Sequence, residues 1–174
     1  MKKSNYIEES YLEIRKAIIN DLGSITEIYN QAILTKNATA DLYPVETESR
    51  VNWFNEHTPD KYPIFVAVIE GSVVGWISLS PYRQGRAALR YTAEVSYYLH
   101  TDFQGRKIGS RLLQFVIDEC PKYQIKTLFS IILEHNIVSI KLMKKFGFEQ
   151  WAYLPNVADF DGAEYGHVYY GRRV

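Results

Sequence analysis

The order in which the hydrophobic period changes along the middle of the chain constrains the fold most. Two apolar runs, 64–69 (IFVAVI) and 73–79, flank Glu70-Gly71-Ser72, a pattern that predicts an antiparallel hairpin. After a polar segment over 81–90 come a strand over 91–100, a helix over 107–120 and a strand over 126–133. In that helix Ile108, Leu112, Val116 and Cys120 recur every four residues along one face. A strand–helix–strand unit closes right-handed, with its two strands parallel. An antiparallel hairpin feeding one parallel pair leaves a mixed α/β sheet covered by helices. The helix then begins at the C-terminal end of the strand that carries Glu94, where open sheets of this kind take ligands.

The flanks read more simply. Residues 1–10 are polar and predict a loose tail, leaving 11–174 as a single domain. Leu12, Ile14 and the apolar residues 17–19 predict a first strand. Asp21 then predicts an N-cap, before Leu22, Ile25, Ile28, Ala32 and Ile33 at helical spacing. Residues 35–44 lack either period and read as a loop, and Val51, Trp53 and Phe54 predict a short helix ended by Pro59 and Pro63. Asn136 caps a helix running through Phe146, with Gly147 at its left-handed end. Strands near 148–153 and 165–170, joined by a loop over 155–164, finish the chain. Asp159-Phe160-Asp161-Gly162 predicts a type I turn, because no calcium loop with a terminal glutamate surrounds it.

Composition then removes whole classes of function. The 174 residues carry 20 Lys+Arg against 20 Asp+Glu, and a balanced chain is a poor general binder of nucleic acid. No window of 18 apolar residues predicts a bilayer span, and Met1 to Ser10 lacks the apolar core of a secretory signal. The single cysteine, Cys120, forms no internal disulfide and predicts a reducing, cytoplasmic setting. It sits on the apolar helix stripe as a small hydrophobe. His57, His100, His135 and His167 lack metal-ligand spacing, so no metal is expected. The zero balance is nonetheless an average over unequal parts. Residues 1–70 hold 7 basic and 11 acidic side chains, whereas 104–147 hold 8 basic and 3 acidic.

That basic segment contains Gln104-Gly105-Arg106-Lys107-Ile108-Gly109-Ser110, between the Glu94 strand and the following helix. A helix N-terminus offers unpaired N–H groups and about half a positive charge, and glycines let an anion approach the backbone. By spacing alone this is equally a plain glycine-containing helix entry; it is neither G-x-G-x-x-G nor a P-loop. Glu94 reads as a partly buried strand carboxylate, as a surface carboxylate, or as one paired with Arg90.

The 104–110 segment resembles the acetyl-CoA pyrophosphate loop of the GCN5-related N-acetyltransferase superfamily, Gln/Arg-x-x-Gly-x-Gly/Ala. Residues 136–148 resemble its Asn-x-x-Ala/Ser…Gly-Phe segment. Tyr91-Thr92-Ala93-Glu94-Val95-Ser96-Tyr97-Tyr98-Leu99 resembles the strand of the phosphinothricin N-acetyltransferase-like family. The resemblance covers roughly residues 12–170. It implies a mixed, mostly antiparallel twisted sheet of six to seven strands with about four helices. It also implies direct transfer of acetyl from acetyl-CoA to the primary amine of a small amino-acid-like compound, and a homodimer. Glu94 would be the base. CoA would be held by Tyr97, Tyr98 and Leu99, by Gln104, Gly105, Arg106, Lys107, Ile108, Gly109 and Ser110, and by Asn136, Ser139 and Lys145. Arg86, Ala87, Ala88 and Ala40 would line the acceptor pocket. The chain departs from the pattern at four places. Lys107 replaces a loop glycine and has to keep helical dihedrals, and Ala40 and Leu89 replace common aromatic residues. Met143 replaces a tyrosine that can protonate the leaving thiolate. A protein N-terminus or lysine as acceptor, or a CoA-binding module without catalysis, are the alternative readings.

Overall fold

The computed structural model describes residues 12–174; the tail expected over residues 1–10 lies outside the described residues. In chain order the elements are β1 (Leu12–Lys16), α1 (Leu22–Leu34), α2 (Val51–Glu56), β2 (Ile64–Ile69), β3 (Ser72–Pro81) and β4 (Thr92–Leu99). Then follow α3 (Ile108–Glu119), β5 (Thr127–Leu133), α4 (Ile137–Lys145), β6 (Glu149–Phe160) and β7 (Ala163–Arg173). The strands form one seven-stranded sheet in the order β1-β2-β3-β4-β5-β7-β6. Every neighbouring pair is antiparallel except β4 and β5.

Each sheet face has its own core. Phe65, Ala67, Ile77, Leu79 and Val95 pack against the predicted stripe of α3, where Ile108, Leu112, Val116 and Cys120 are all essentially inaccessible to solvent. Burying side chains of that size stabilises by roughly 1.5–3 kcal/mol each. On the other face Val66, Val68 and Trp76 pack against Ile25, Ile28, Tyr29 and Ile33 of α1. β2 is therefore buried on both sides, which is why its sequence is an unbroken apolar run.

The parallel β4–β5 pair is short. Register runs only from Thr92↔Thr127 to Glu94↔Phe129, and beyond it β5 continues paired with β7 while β4 stays paired with β3. The two strands separate immediately after Glu94. Among the described residues no helix is long and apolar enough to cross a membrane.

Several expectations are corrected here. The loop expected over 155–164 is mostly strand, because β6 and β7 form one long hairpin closed by Asp161-Gly162. Both turn residues have positive φ, 56° and 98°, so the turn is not type I but has the handedness two-residue hairpins need. Asp21 does not cap α1 with its side chain; it accepts the Ile18 N–H at 2.8 Å and a two-pronged bond from Arg15 at 2.7 and 2.9 Å. The first strand stops at Lys16 rather than running to residue 19.

Candidate active site

The site lies where β4 and β5 part, and α3 and α4 form its walls. Tyr97 and Leu99 point to the α3 face, while Glu94, Ser96 and Tyr98 point to the α1 face. On the α3 side a groove of about 450 Å³ runs from the strands to the start of α3. All the expected CoA-binding residues line it except Arg106. Arg106 is exposed, and its guanidinium lies 4.8 Å from the centre of the Phe103 ring instead. Ala32, Thr35, Asn37, Ala38, Val138, Lys141 and Leu142 complete the lining and were not expected. Of these, Val138, Lys141 and Leu142 follow from helical spacing around Ser139, whereas residues 32–38 carry no local signal.

At the end of the groove the backbone, not the side chains, shapes the seat. Lys107 does not keep helical dihedrals: φ is 63° and ψ 8°, the left-handed region. That explains the usual glycine there, since a side chain in this conformation costs roughly 1–2 kcal/mol. A left-handed residue beside right-handed Ile108 turns successive N–H groups toward one point, an anion-binding arrangement. Two residues on, a Cβ added at Gly109 would touch Tyr97 and Leu99 at 3.4 Å and Leu142 at 3.6 Å, so the helix lies close against the groove floor. Asn136 is buried, caps α4 by accepting the Ser139 N–H at 3.1 Å, and lines the groove as well. The buried side-chain oxygen of Asn37, in the same wall, has no hydrogen-bond partner. An anion seat, an unfilled acceptor and unpaired strand backbone together fit the phosphates and amides of CoA.

Met143 does not face this groove. It is fully buried among the core residues beneath α4, so its position is closed to a leaving group. The tyrosine that lines the groove near α4 is Tyr97, with its hydroxyl 2.9 Å from the Ser139 hydroxyl and its pKa raised by burial.

Glu94 occupies the opposite face at the point of separation. Its neighbours there are Ser80 across β3 and Phe129 across β5, not Val95 or Leu99, which belong to the other face. Phe129 lies 4.9 Å from the Tyr82 ring and stacks on Tyr169 at 6.3 Å, giving Glu94 an aromatic floor. Burial raises the Glu94 pKa. Arg90 is not its partner: that side chain donates to the Ala87 carbonyl at 2.8 Å and covers the Tyr91 ring.

Over β3 is a second cavity of about 640 Å³, lined by Ser80, the cross-strand neighbour of Glu94, and not by Glu94 itself. Arg86 and Ala87 line it as expected, joined by Ser80, His57, Arg83 and Arg90. Ala88 and Ala40 line neither cavity and are exposed, so these two expected pocket residues are not brought to the site. Leu89 does line this cavity. His167 and Tyr169 share the Glu94 face but stand on β7, beyond β5.

Comparison with known proteins places these features. The model of the acetyltransferase (GNAT) family matches residues 25–148. YwnH of Bacillus subtilis is 38% identical over 94% of this chain and 99% of its own length. The L-methionine sulfoximine/L-methionine sulfone acetyltransferase of Salmonella typhimurium is 34% identical, covering 84% of this chain and 85% of that protein. A GNAT superfamily phosphinothricin acetyltransferase from Sinorhizobium meliloti, solved in complex with acetyl-CoA, superposes with a TM-score of 0.87 at 29% identity. That match covers 94% of this chain and 89% of the solved one. With the sheet parting after Glu94 and a left-handed turn leading into α3, the chain belongs to the GNAT acetyltransferase family.

Proposed function

We propose that the chain transfers the acetyl group of acetyl-CoA, by direct attack, to the primary amine of a small amino-acid-like compound of the phosphinothricin and methionine sulfoximine class. The observation that carries this reading is the placement of Glu94. Its half-buried carboxyl, with a raised pKa, sits at the point where β4 leaves β5, one strand face away from the groove. Relatives named for phosphinothricin and methionine sulfoximine support the acceptor class.

Acetyl-CoA supplies an acetyl thioester. The N-terminal amides of α3 and the left-handed Lys107 hold its pyrophosphate, and Asn136, Ser139 and Lys145 line the walls beside it. The edge of β4 beyond Glu94, unpaired with β5, offers N–H and C=O groups as an added strand would find them. An N–H there also stabilises charge developing on the carbonyl oxygen. An amine with a pKa of roughly 9–10 is mostly protonated at neutral pH, so it must shed a proton before attack; Glu94, raised by burial, receives it. Tyr97 holds its proton at neutral pH and donates toward the thiolate, the role that buried Met143 does not fill. A thiol near a pKa of ~8.5 leaves tolerably in any case. The cationic lining of the second cavity, with Arg86 in it, suits the carboxylate of the acceptor.

We place the enzyme in the cytoplasm as a homodimer. Edge strand β6 exposes Trp151, Tyr153, Leu154 and Val157 along its length, an apolar edge that a second copy would cover. The test is thiol release by the purified protein with acetyl-CoA and a panel of free amino acids, phosphinothricin and methionine sulfoximine. Release above the rate without acceptor is expected for the amino-acid-like compounds. Release that never exceeds that rate, while CoA still raises the melting temperature, would leave a CoA-binding module and overturn the enzymatic reading.

A further inference from the structure

His57 and Ser80 lie outside the roles assigned so far, yet Ser80 stands beside Glu94 and His57 beside Ser80. Ser80 is its direct cross-strand neighbour in the β3–β4 register. Directly opposed residues on one face keep their Cβ atoms roughly 4.5–5.5 Å apart. His57 follows α2, its Nδ1 2.7 Å from the Trp53 carbonyl and its Nε2 3.1 Å from the Ser80 hydroxyl. A carbonyl only accepts, so Nδ1 carries the hydrogen. The ring is neutral: burial lowers its pKa, and Arg50 adds to that push against the opposing pull of the Trp53 carbonyl and Glu56. Nε2 of such a ring is an acceptor, so the Ser80 hydroxyl must donate to it.

We propose that His57 and Ser80 are a positioning pair that sets the polarity of the site. His57 Nε2 accepts the hydrogen bond that the Ser80 hydroxyl donates, so Ser80 turns lone pairs, not a proton, toward the face that carries Glu94. The carboxylate of Glu94 is also an acceptor. Two acceptors facing one space make a seat for a donor: the N–H of the incoming amine, or a water carrying its proton away. Were the Ser80 proton free, it would bond to Glu94 instead, stabilise the carboxylate and make it a weaker base. His57 prevents this from the far side of Ser80, without touching the reacting atoms. The other charged and titratable groups around the pair are Arg50 and Glu56 beside His57 and Tyr98 on the Glu94 strand, with Lys61, Tyr62, Arg83, Arg86 and Arg90 lining the cavity that His57 and Ser80 share. From β5 the neighbour of Glu94 is uncharged Phe129.

This inference rests on Glu94 being the base, and its test separates the two. The side-chain carboxyl of Glu94 is titrated by carbon-13 NMR, and kcat/KM is followed against pH, in the wild type, H57A, S80A and H57A/S80A. H57A should move the Glu94 midpoint and the acid limb of the rate profile down by about one pH unit, because the released hydroxyl now bonds the carboxylate. S80A should not move them up, because no donor to the carboxylate is lost, and adding S80A to H57A should abolish the shift that H57A causes. If the double variant shifts as far as H57A, water entering in place of the imidazole is the cause and the proposal is overturned. An unmoved midpoint in H57A overturns it too, and S80A alone remains readable if H57A folds poorly: an upward shift in S80A, the mark of a donor lost from the carboxylate, refutes the assigned polarity. Should E94Q keep full turnover, the base assignment fails; the NMR midpoints still decide the polarity.

Discussion

Replacing Gly109 with alanine should strengthen the fold and weaken the groove at the same time. Gly109 is the second residue of α3, and alanine is better than glycine in a helix by up to about 1 kcal/mol. The added Cβ would meet Leu99 and Tyr97 at 3.4 Å and Leu142 at 3.6 Å, which is ordinary contact and not a clash. For a chain of this length, 1 kcal/mol is roughly 2–4 °C in melting temperature. The same methyl takes up space between Gly109 and the groove-lining Tyr97, Leu99 and Leu142, where a bound CoA would lie against bare backbone. Forcing a methyl into a filled interface costs about 1–3 kcal/mol, roughly 5- to 150-fold in Kd. Thermal unfolding without ligand and calorimetric titration with CoA read the two effects separately. A lower melting temperature for G109A would refute the packing assigned to α3. A higher one with unchanged CoA affinity would refute the close approach of ligand to backbone at this turn.

Other perturbations probe the charges and the edge. Burial raises the Glu94 pKa, so the folded chain holds that proton longer than the unfolded one, and the stability so gained is lost as pH rises through the folded value. Glu94→Gln should therefore cut turnover at pH 7 with CoA affinity intact, yet raise the melting temperature there and not at acid pH. An equal gain at both would contradict the linkage. Arg15 and the Ile18 amide hold the Asp21 carboxyl below its ordinary pKa, so this contact stabilises above the unfolded value and fades as pH falls through the folded one. Asp21→Asn should cost about 1–2 kcal/mol at neutral pH, the gap to wild type closing in acid, as measured by urea unfolding. If the proposed dimer forms through β6, Trp151→Lys should shift sedimentation from dimer to monomer; a wild type that sediments as a monomer, or an unchanged dimer in the variant, would refute that interface.

The residues themselves determined the elements whose chemistry is local. The four-residue stripe of α3 is recorded in its side chains, as are the Asn136 cap and the Gly147 stop of α4, and each needs only neighbours within a turn or two. The lining of the groove was legible only in part, through the family resemblance at 91–99, 104–110 and 136–148, while residues 32–38 carry no local signal. The hairpin of β6 and β7 was not legible. Register shifts at Gln150/Ala152 and Leu154/Ala158 break its alternation, and the one surviving signal was the Asp161-Gly162 pair. Tertiary structure also decided which way side chains point. Lys107 goes left-handed at the turn into α3, Met143 turns into the core, and Arg106 turns to Phe103. For Glu94 the decision was long-range. Its partners Ser80 and Phe129 come from strands on either side, and a strand shifted by one residue would exchange the faces of Glu94 and Val95. A carboxylate is written in the sequence, but its burial and its neighbours exist only once distant strands have paired.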